Sequence, residues 1–286
     1  METTTKTAFQ TYYRMALERC LDAFSQVNEE DWTASARRGP WNAKDYLAHL
    51  VSSQEHEANP VTQEALAGRQ PRMEDFRGPQ EINTYNARVI ETVRQLSPGE
   101  LLGRFRAAFK AHLRMLESVS DADLGRPVQH PGWFRPGTLA QVFYTGYLHL
   151  PIHYQDIRRC LRDRRQIPHW MEVSTAEEVH DLLARTFEYM PATYWPDRGR
   201  DLNAAMLFDL HGPGGGSWTV EIDGPECRSY EGRPERPDME LSASPKDWVD
   251  VTTKELNPVW GLLSRRLKIR GNILLSLKLE RLFEVT

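Results

Sequence analysis

Three of the nine histidines are spaced to act on one ligand. His149 and His153 lie four apart, so a helix through them sets both imidazoles on one face, a turn apart. Their stripe also holds Val142, Thr145, Gly146 and Asp156, mostly small or apolar, and reads as inward-facing. Imidazoles at i and i+4 form a two-point platform for a divalent metal. His49 takes the equivalent inward place on an earlier helix, beside Tyr46 and Leu50 and one turn before Ser53. Three neutral imidazoles facing a bundle cavity would hold a metal on one side and leave positions open for water or substrate. Asp156, three residues past His153, is placed to accept a hydrogen bond from a ligand's second ring nitrogen and fix its tautomer. Pro151, between the two histidines, removes a backbone donor and predicts a kink. The same spacing also suits imidazoles that are simply hydrogen-bonded in a core.

The remaining candidates are weaker. His56 falls near a helix end, His130 in a loop that could overhang the cavity, and His112, His169, His180 and His211 read as solvated surface. No G-x-S-x-G nucleophile motif is present, and Cys160, among arginines, reads as a packing residue. Arginines 158, 159, 162, 164 and 165 suit the C-terminal end of a helix dipole or, with Arg158 foremost, capture of a carboxylate on a substrate or cofactor. The glycines of HGPGGGS lack the G-K-[ST] ending of a phosphate loop and lead into a strand, which predicts a hairpin turn.

The elements that must carry these residues are legible in the periodicity. Apolar positions from Tyr13 to Val27 follow helical spacing. Asn42 with Asp45, Ser97 with Glu100 and Thr138 with Gln141 mark three further helix starts in capping-box form. Another helical stretch covers about 81–96, and the Pro- and Gly-containing segment 60–80 reads as an irregular connection. An up-and-down bundle of four principal helices over 1–168 follows. Beyond Pro168 come a helix near 175–190, strands at 203–210, 217–222, 226–231 and 238–243, a helix opened by Ser244-Pro245, and a closing amphipathic helix. That predicts a meander-containing α+β domain over 169–286. The closing stripe of Ile273, Leu274, Leu277, Leu279, Leu282 and Phe283 reads as core, with a ligand tunnel as the alternative.

Composition narrows the function classes. The 286 residues are 40% hydrophobic and 27% charged, which excludes a disordered chain. A net charge of −4 argues against nucleic acid as a partner. Three scattered cysteines form neither a disulfide framework nor a thiolate zinc site. With no secretion signal and no apolar run of membrane-spanning length, a cytoplasmic protein without a membrane partner is expected. The oligomeric state is not readable.

GPWNAKDYLAHL at 39–50 resembles the G-W-[ST]-x-x-[DE]-[LV]-[LV]-x-H-L motif of the DinB-like, mycothiol-dependent maleylpyruvate isomerase family. HYQDIRRCLRDRRQIP at 153–168 resembles that family's H-x-x-D-[IL] helix and its arginine-rich continuation. The second half, from FDLHGPGGGSW to LKIRGNILLSLKLERLF, resembles the sterol-carrier-protein-like domain that often follows. The resemblance implies a DinB-like four-helix bundle ahead of a sterol-carrier-like α+β domain. It implies metal ligands at His49, His149 and His153, with imidazole at 149 where the isomerases carry glutamate. It implies a divalent metal, zinc foremost and nickel or iron as alternatives, and mycothiol as the low-molecular-weight thiol. GLLSRRLKIRG at 261–271 resembles the element that sends an arginine to the family's site, which implicates Arg265 in anion binding, in a pocket between the two domains. The implied activity is thiol S-transfer to a small electrophile; the alternatives are maleylpyruvate-type cis–trans isomerisation and a non-enzymatic lipid or apolar-metabolite binder.

Overall fold

The structure is a computed structural model and describes residues 6–34, 40–71, 79–129 and 136–283. His130 and Gly39 lie outside the described residues. The chain divides into two units, one ending at Val173 and the other beginning at Ser174.

The first unit is helical. Its elements are α1 (Lys6–Ser25), α2 (Glu29–Trp32), α3 (Ala43–Ser53), α4 (Asn59–Leu66), α5 (Pro79–Glu91), α6 (Pro98–Ser118), α7 (Asp121–Leu124) and α8 (Leu139–Cys160). A two-residue antiparallel pair, β1 (Pro127–Val128) with β2 (Gly137–Thr138), leads into α8, although the sequence carries no strand signal there. Asn42, Ser97 and Thr138 each close a capping box on α3, α6 and α8, as their spacing predicts. Contacts fix the helix directions. Lys6 Nζ donates to the Glu117 carbonyl, Tyr13 meets His112 and Phe24 packs on Phe105, so α1 and α6 are antiparallel. Cys160 Sγ donates to the Trp41 carbonyl while His49 lies beside His149, so α3 and α8 are antiparallel as well.

One expectation fails here. Residues 59–66 are helical, and α3 reaches α4 through one π-helical turn at Gln54–Ala58. The Asn59 N–H bonds to the Gln54 carbonyl, five residues back. A proline inside a helix lacks a donor and crowds the preceding turn. A widened turn just before Pro60 accommodates it, so the helix continues where the prolines and glycines predict an irregular connection.

His112 and His169 are also buried, against the expectation of solvated surface. His169 Nδ1 accepts from the Met171 N–H and caps a short 3-10 turn. The Thr62 hydroxyl donates to the Ala58 carbonyl at 2.7 Å, so it accepts from His112 Nε2 at 2.9 Å. His112 Nδ1 is then left to accept from the Tyr13 hydroxyl, also at 2.9 Å. The spacing Phe105, Phe109, His112, Leu116 is the signal for this burial, since His112 continues the apolar stripe.

Burial pushes the His112 imidazole down to about 3. The unfolded chain, with an ordinary histidine, takes up a proton below about 6.5, whereas the folded chain stays neutral down to about 3. Stability therefore falls as pH drops through that window, by about 2 kcal/mol at pH 5 from this residue. Urea unfolding at pH 7 and pH 5 checks this: the loss between the two is expected to shrink by about that amount in His112→Gln.

The second unit contains α9 (Ala176–Tyr189), α10 (Pro196–Gly199), β3 (Asn203–Leu210), β4 (Gly216–Asp223), β5 (Glu226–Glu231), β6 (Met239–Ala243), α11 (Pro245–Thr252), α12 (Pro258–Leu263), β7 (Lys268–Gly271) and α13 (Ile273–Phe283). The sheet order is β5-β4-β3-β6-β7. β3, β4 and β5 form the predicted meander, but β6 then lies parallel to β3, with Phe208 opposite Leu241. β7 closes the other edge antiparallel to β6. The inner face centres on Phe187, stacked on Trp218 at 5.0 Å, with Phe208 and Trp248 around it. The glycine run makes the β3–β4 hairpin: Gly214 sits at φ +73, and a Cβ on Gly215 would meet the Leu210 carbonyl oxygen at 2.0 Å. No described helix is long and apolar enough to cross a membrane.

Candidate metal centre

α3 and α8 bring the three sequence-selected histidines together. One ring nitrogen from each of His49, His149 and His153 lies within 4.8 Å of the other two. Ring centroids are 4.7 Å apart for His49 and His153, 5.4 Å for His149 and His153, and 5.7 Å for His49 and His149. α8 is helical on both sides of Pro151, so the i, i+4 pair stays on one face. His49 is buried, and its Nδ1 has no hydrogen-bond partner among the described residues. An imidazole nitrogen with no partner in a protein interior loses hydration without compensation, unless something absent from the protein atoms binds there.

The protonation states suit ligation. Burial, then the neighbouring His153 and His149, hold His49 well below the usual histidine range. Burial, then His153, pushes His149 down to about 3. Both imidazoles are therefore neutral at physiological pH, the form that binds metals.

Asp156 stands where its spacing places it. Its Oδ2 accepts from His153 Nδ1 at 2.8 Å, which leaves His153 Nε2 as the nitrogen open to a ligand. The buried Arg159 donates to the other carboxylate oxygen. Arg159 also hydrogen-bonds the Tyr46 hydroxyl, whose pKa is pushed up to about 12 by burial and then by Asp156. The Tyr46 ring lies 5.8 Å from His153, and Trp41 lies 5.1 Å from His49. Sequence reasoning found Asp156 but not the roles of Arg159, Tyr46 and Trp41. Arg159, three residues past Asp156, was the available signal.

The other candidates sit elsewhere. Arg158 Nε donates to the Ile167 carbonyl at 3.2 Å. Cys160 is buried, its thiol pushed up to about 11 chiefly by burial, which fits packing. Arg265 belongs to the second unit, exposed and at φ 60 after α12.

The sequence pattern of the DinB superfamily matches residues 12–157, just over half of the chain. This chain belongs to the DinB superfamily. The DinB match contains all three histidines and Asp156. The SCP-2 sterol transfer family matches residues 194–284, so both halves of the expected resemblance are borne out. Among solved structures the chain is similar to a mycothiol-dependent maleylpyruvate isomerase, with a TM-score of 0.53 and 13% identity, over 84% of this chain and 85% of that one. At that identity the likeness is one of fold. Among curated proteins it is similar to hydroxysteroid dehydrogenase-like protein 2 of Rattus norvegicus, 34% identical over 101 residues, and of Homo sapiens, 31% identical over 101 residues. Those matches cover 35% of this DinB chain but 19% and 24% of the two relatives, so it spans less than a quarter of their length.

Proposed function

We propose that the helical half is a divalent-metal-dependent enzyme that turns a low-molecular-weight thiol, mycothiol, on a small electrophile, as a thiol S-transferase. The observation that carries this reading is the meeting of three imidazoles from two helices, one of them with a buried nitrogen that no other described residue satisfies. His49, His149 and His153 would hold the ion; the all-nitrogen set suits zinc first, and nickel or iron(II) as well. When bound, the ion supplies a positive charge that favours the thiolate of a thiol with an ordinary pKa of ~8.5.

The chain's own residues do the rest. Asp156 holds the His153 tautomer, and Arg159 anchors Asp156. Trp41 and Tyr46 flank the rings and limit water beside them. Imidazole at 149, in place of a carboxylate, leaves the ligand set uncharged and one unit more positive, which favours binding of an anionic thiolate and turns the reading from isomerase to transferase. Arg265, exposed, is the proposed contact for a substrate anion. Arg158 is a second candidate, and would have to leave the Ile167 carbonyl to serve.

Two further readings have support. Maleylpyruvate-type isomerisation, in which the thiol adds, a bond rotates and the thiol leaves, is favoured by the fold likeness to the isomerase across both halves. Apolar-ligand binding by the second half is favoured by the SCP-2 match; co-purified lipid, insensitive to chelators, would identify it.

The test is metal analysis of the native protein joined to titration with mycothiol against glutathione. About one equivalent of metal and metal-dependent binding of mycothiol support the proposal, and thiol binding unaffected by chelation refutes it. Asp156 offers a graded check. Asp156→Ala is expected to weaken metal binding by about 10–100-fold, and Asp156→Asn, which keeps an acceptor for His153, by less. Competition against a chromophoric chelator measures both.

A further inference from the structure

The six most exposed large apolar side chains among the described residues all fall in one short stretch. Val259, Trp260 and Leu263 lie on α12, and Ile273, Leu274 and Leu277 on α13, each between 56% and 72% exposed. This corrects the reading of the closing helix as plain core, since on α13 only Leu275 and Leu282 are buried. The two helices flank β7, and a single residue, Asn272, separates β7 from α13. A four-residue strand is about 13 Å long, so the two apolar groups flank the two ends of one short edge strand of the sheet.

Charge singles out the occupant. Residues 258–283 contain six Lys and Arg side chains against one acid, Glu280, in a chain whose net charge is −4. Arg266 is engaged by Asp247 and Asp250. Lys268, Arg270, Lys278 and Arg281 are exposed, and their side chains make no ion pair among the described residues. Exposed aliphatic side chains and a tryptophan beside unpaired cations match an anionic lipid surface, which takes apolar groups beneath its headgroups and cations among them. A second copy would bring two cationic faces together, and like charges oppose that.

We propose that α12, β7 and α13 form a peripheral docking surface for anionic phospholipid bilayers. These elements belong to the second unit; Arg265, the substrate-anion contact proposed above, lies between α12 and β7 and is left unchanged in the variants below, so the vesicle test does not rest on the histidine site.

The test is co-sedimentation of the full chain with phosphatidylcholine vesicles, with and without about one-third phosphatidylglycerol. Binding to the anionic vesicles, weak binding to the neutral ones and release by about 0.5 M salt are expected. Leu274→Ser with Leu277→Ser, and separately Lys268→Glu with Arg270→Glu, are each expected to lower vesicle binding roughly tenfold or more. Both pairs are exposed, and an unchanged unfolding transition shows that the variants fold. Equal sedimentation on both vesicle types, or binding unchanged in both variants, overturns the proposal. So does a dimer in sedimentation velocity that dissociates in either variant, because the face would then belong to a second copy.

Discussion

His149→Ala is expected to leave the purified protein folded and nearly free of divalent metal, from about one equivalent to less than a tenth. Two imidazoles cannot hold an ion as three do, and the loss exceeds the ~10–100-fold that follows from removing an outer hydrogen-bond partner. The fold has little reason to suffer. His149 is half-buried on a helix, alanine is the best helix former, and the His149 side chain makes no hydrogen bond among the described residues. His153→Ala is expected to lose metal equally but to cost more stability, because it leaves one oxygen of the buried Asp156 without its partner. His56→Ala, at an exposed position in the π-helical turn, is the matched control and is expected to keep its metal. Elemental analysis of the three variants beside the parent separates a three-histidine site from adventitious binding.

Gly146→Ala is expected to destabilise the helical half by about 2–4 kcal/mol, against the helix propensity of the new residue. Alanine in a helix interior gains about 1 kcal/mol over glycine. Here, however, a Cβ would stand 2.5 Å from the Tyr13 hydroxyl, 2.7 Å from His112 Nδ1 and 2.9 Å from Gln54 Oε1. Those three residues are fully buried, so relief of the contact has to come from the core. Overpacking costs about 1–3 kcal/mol, and parting Tyr13 from His112 exposes a further cost of about 1–3 kcal/mol for unsatisfied buried groups. The clash outweighs the propensity. Chemical denaturation measures the sign, and a variant as stable as the parent would mean that the Tyr13–His112 pair shifts freely. The position also bears on the metal centre, since Gly146 lies one turn before His149 on the same helix.

The parts of this protein that were legible in its sequence are those set by local rules. Capping boxes at Asn42, Ser97 and Thr138 depend on residues three apart, and the His149–His153 pair depends on one helical turn. His49 was legible because its helix carries one apolar face, and two such faces must meet. What escaped depends on partners distant in the chain. His112 is buried by Tyr13 and Thr62, each from another helix, and its own polar character argued for the surface. The α3–α4 helix survives Pro60 because a π-helical turn absorbs the strain, which composition does not reveal. The parallel pairing of β6 with β3 passes over two intervening strands, and β7 is a four-residue edge that an alternation pattern cannot distinguish. On α13 the apolar stripe was visible, but whether protein covers it is a property of the packed unit.

The central claim is that imidazoles from α3 and α8 share one ion. The most direct measurement is anomalous diffraction at the metal edge from crystals of protein purified without added chelator. One peak is expected, about 2.0–2.2 Å from a nitrogen of each of His49, His149 and His153, with the His153–Asp156 hydrogen bond intact. A peak at other side chains, or metal-replete crystals in which His49 Nδ1 instead meets a protein hydrogen-bond partner, would contradict it.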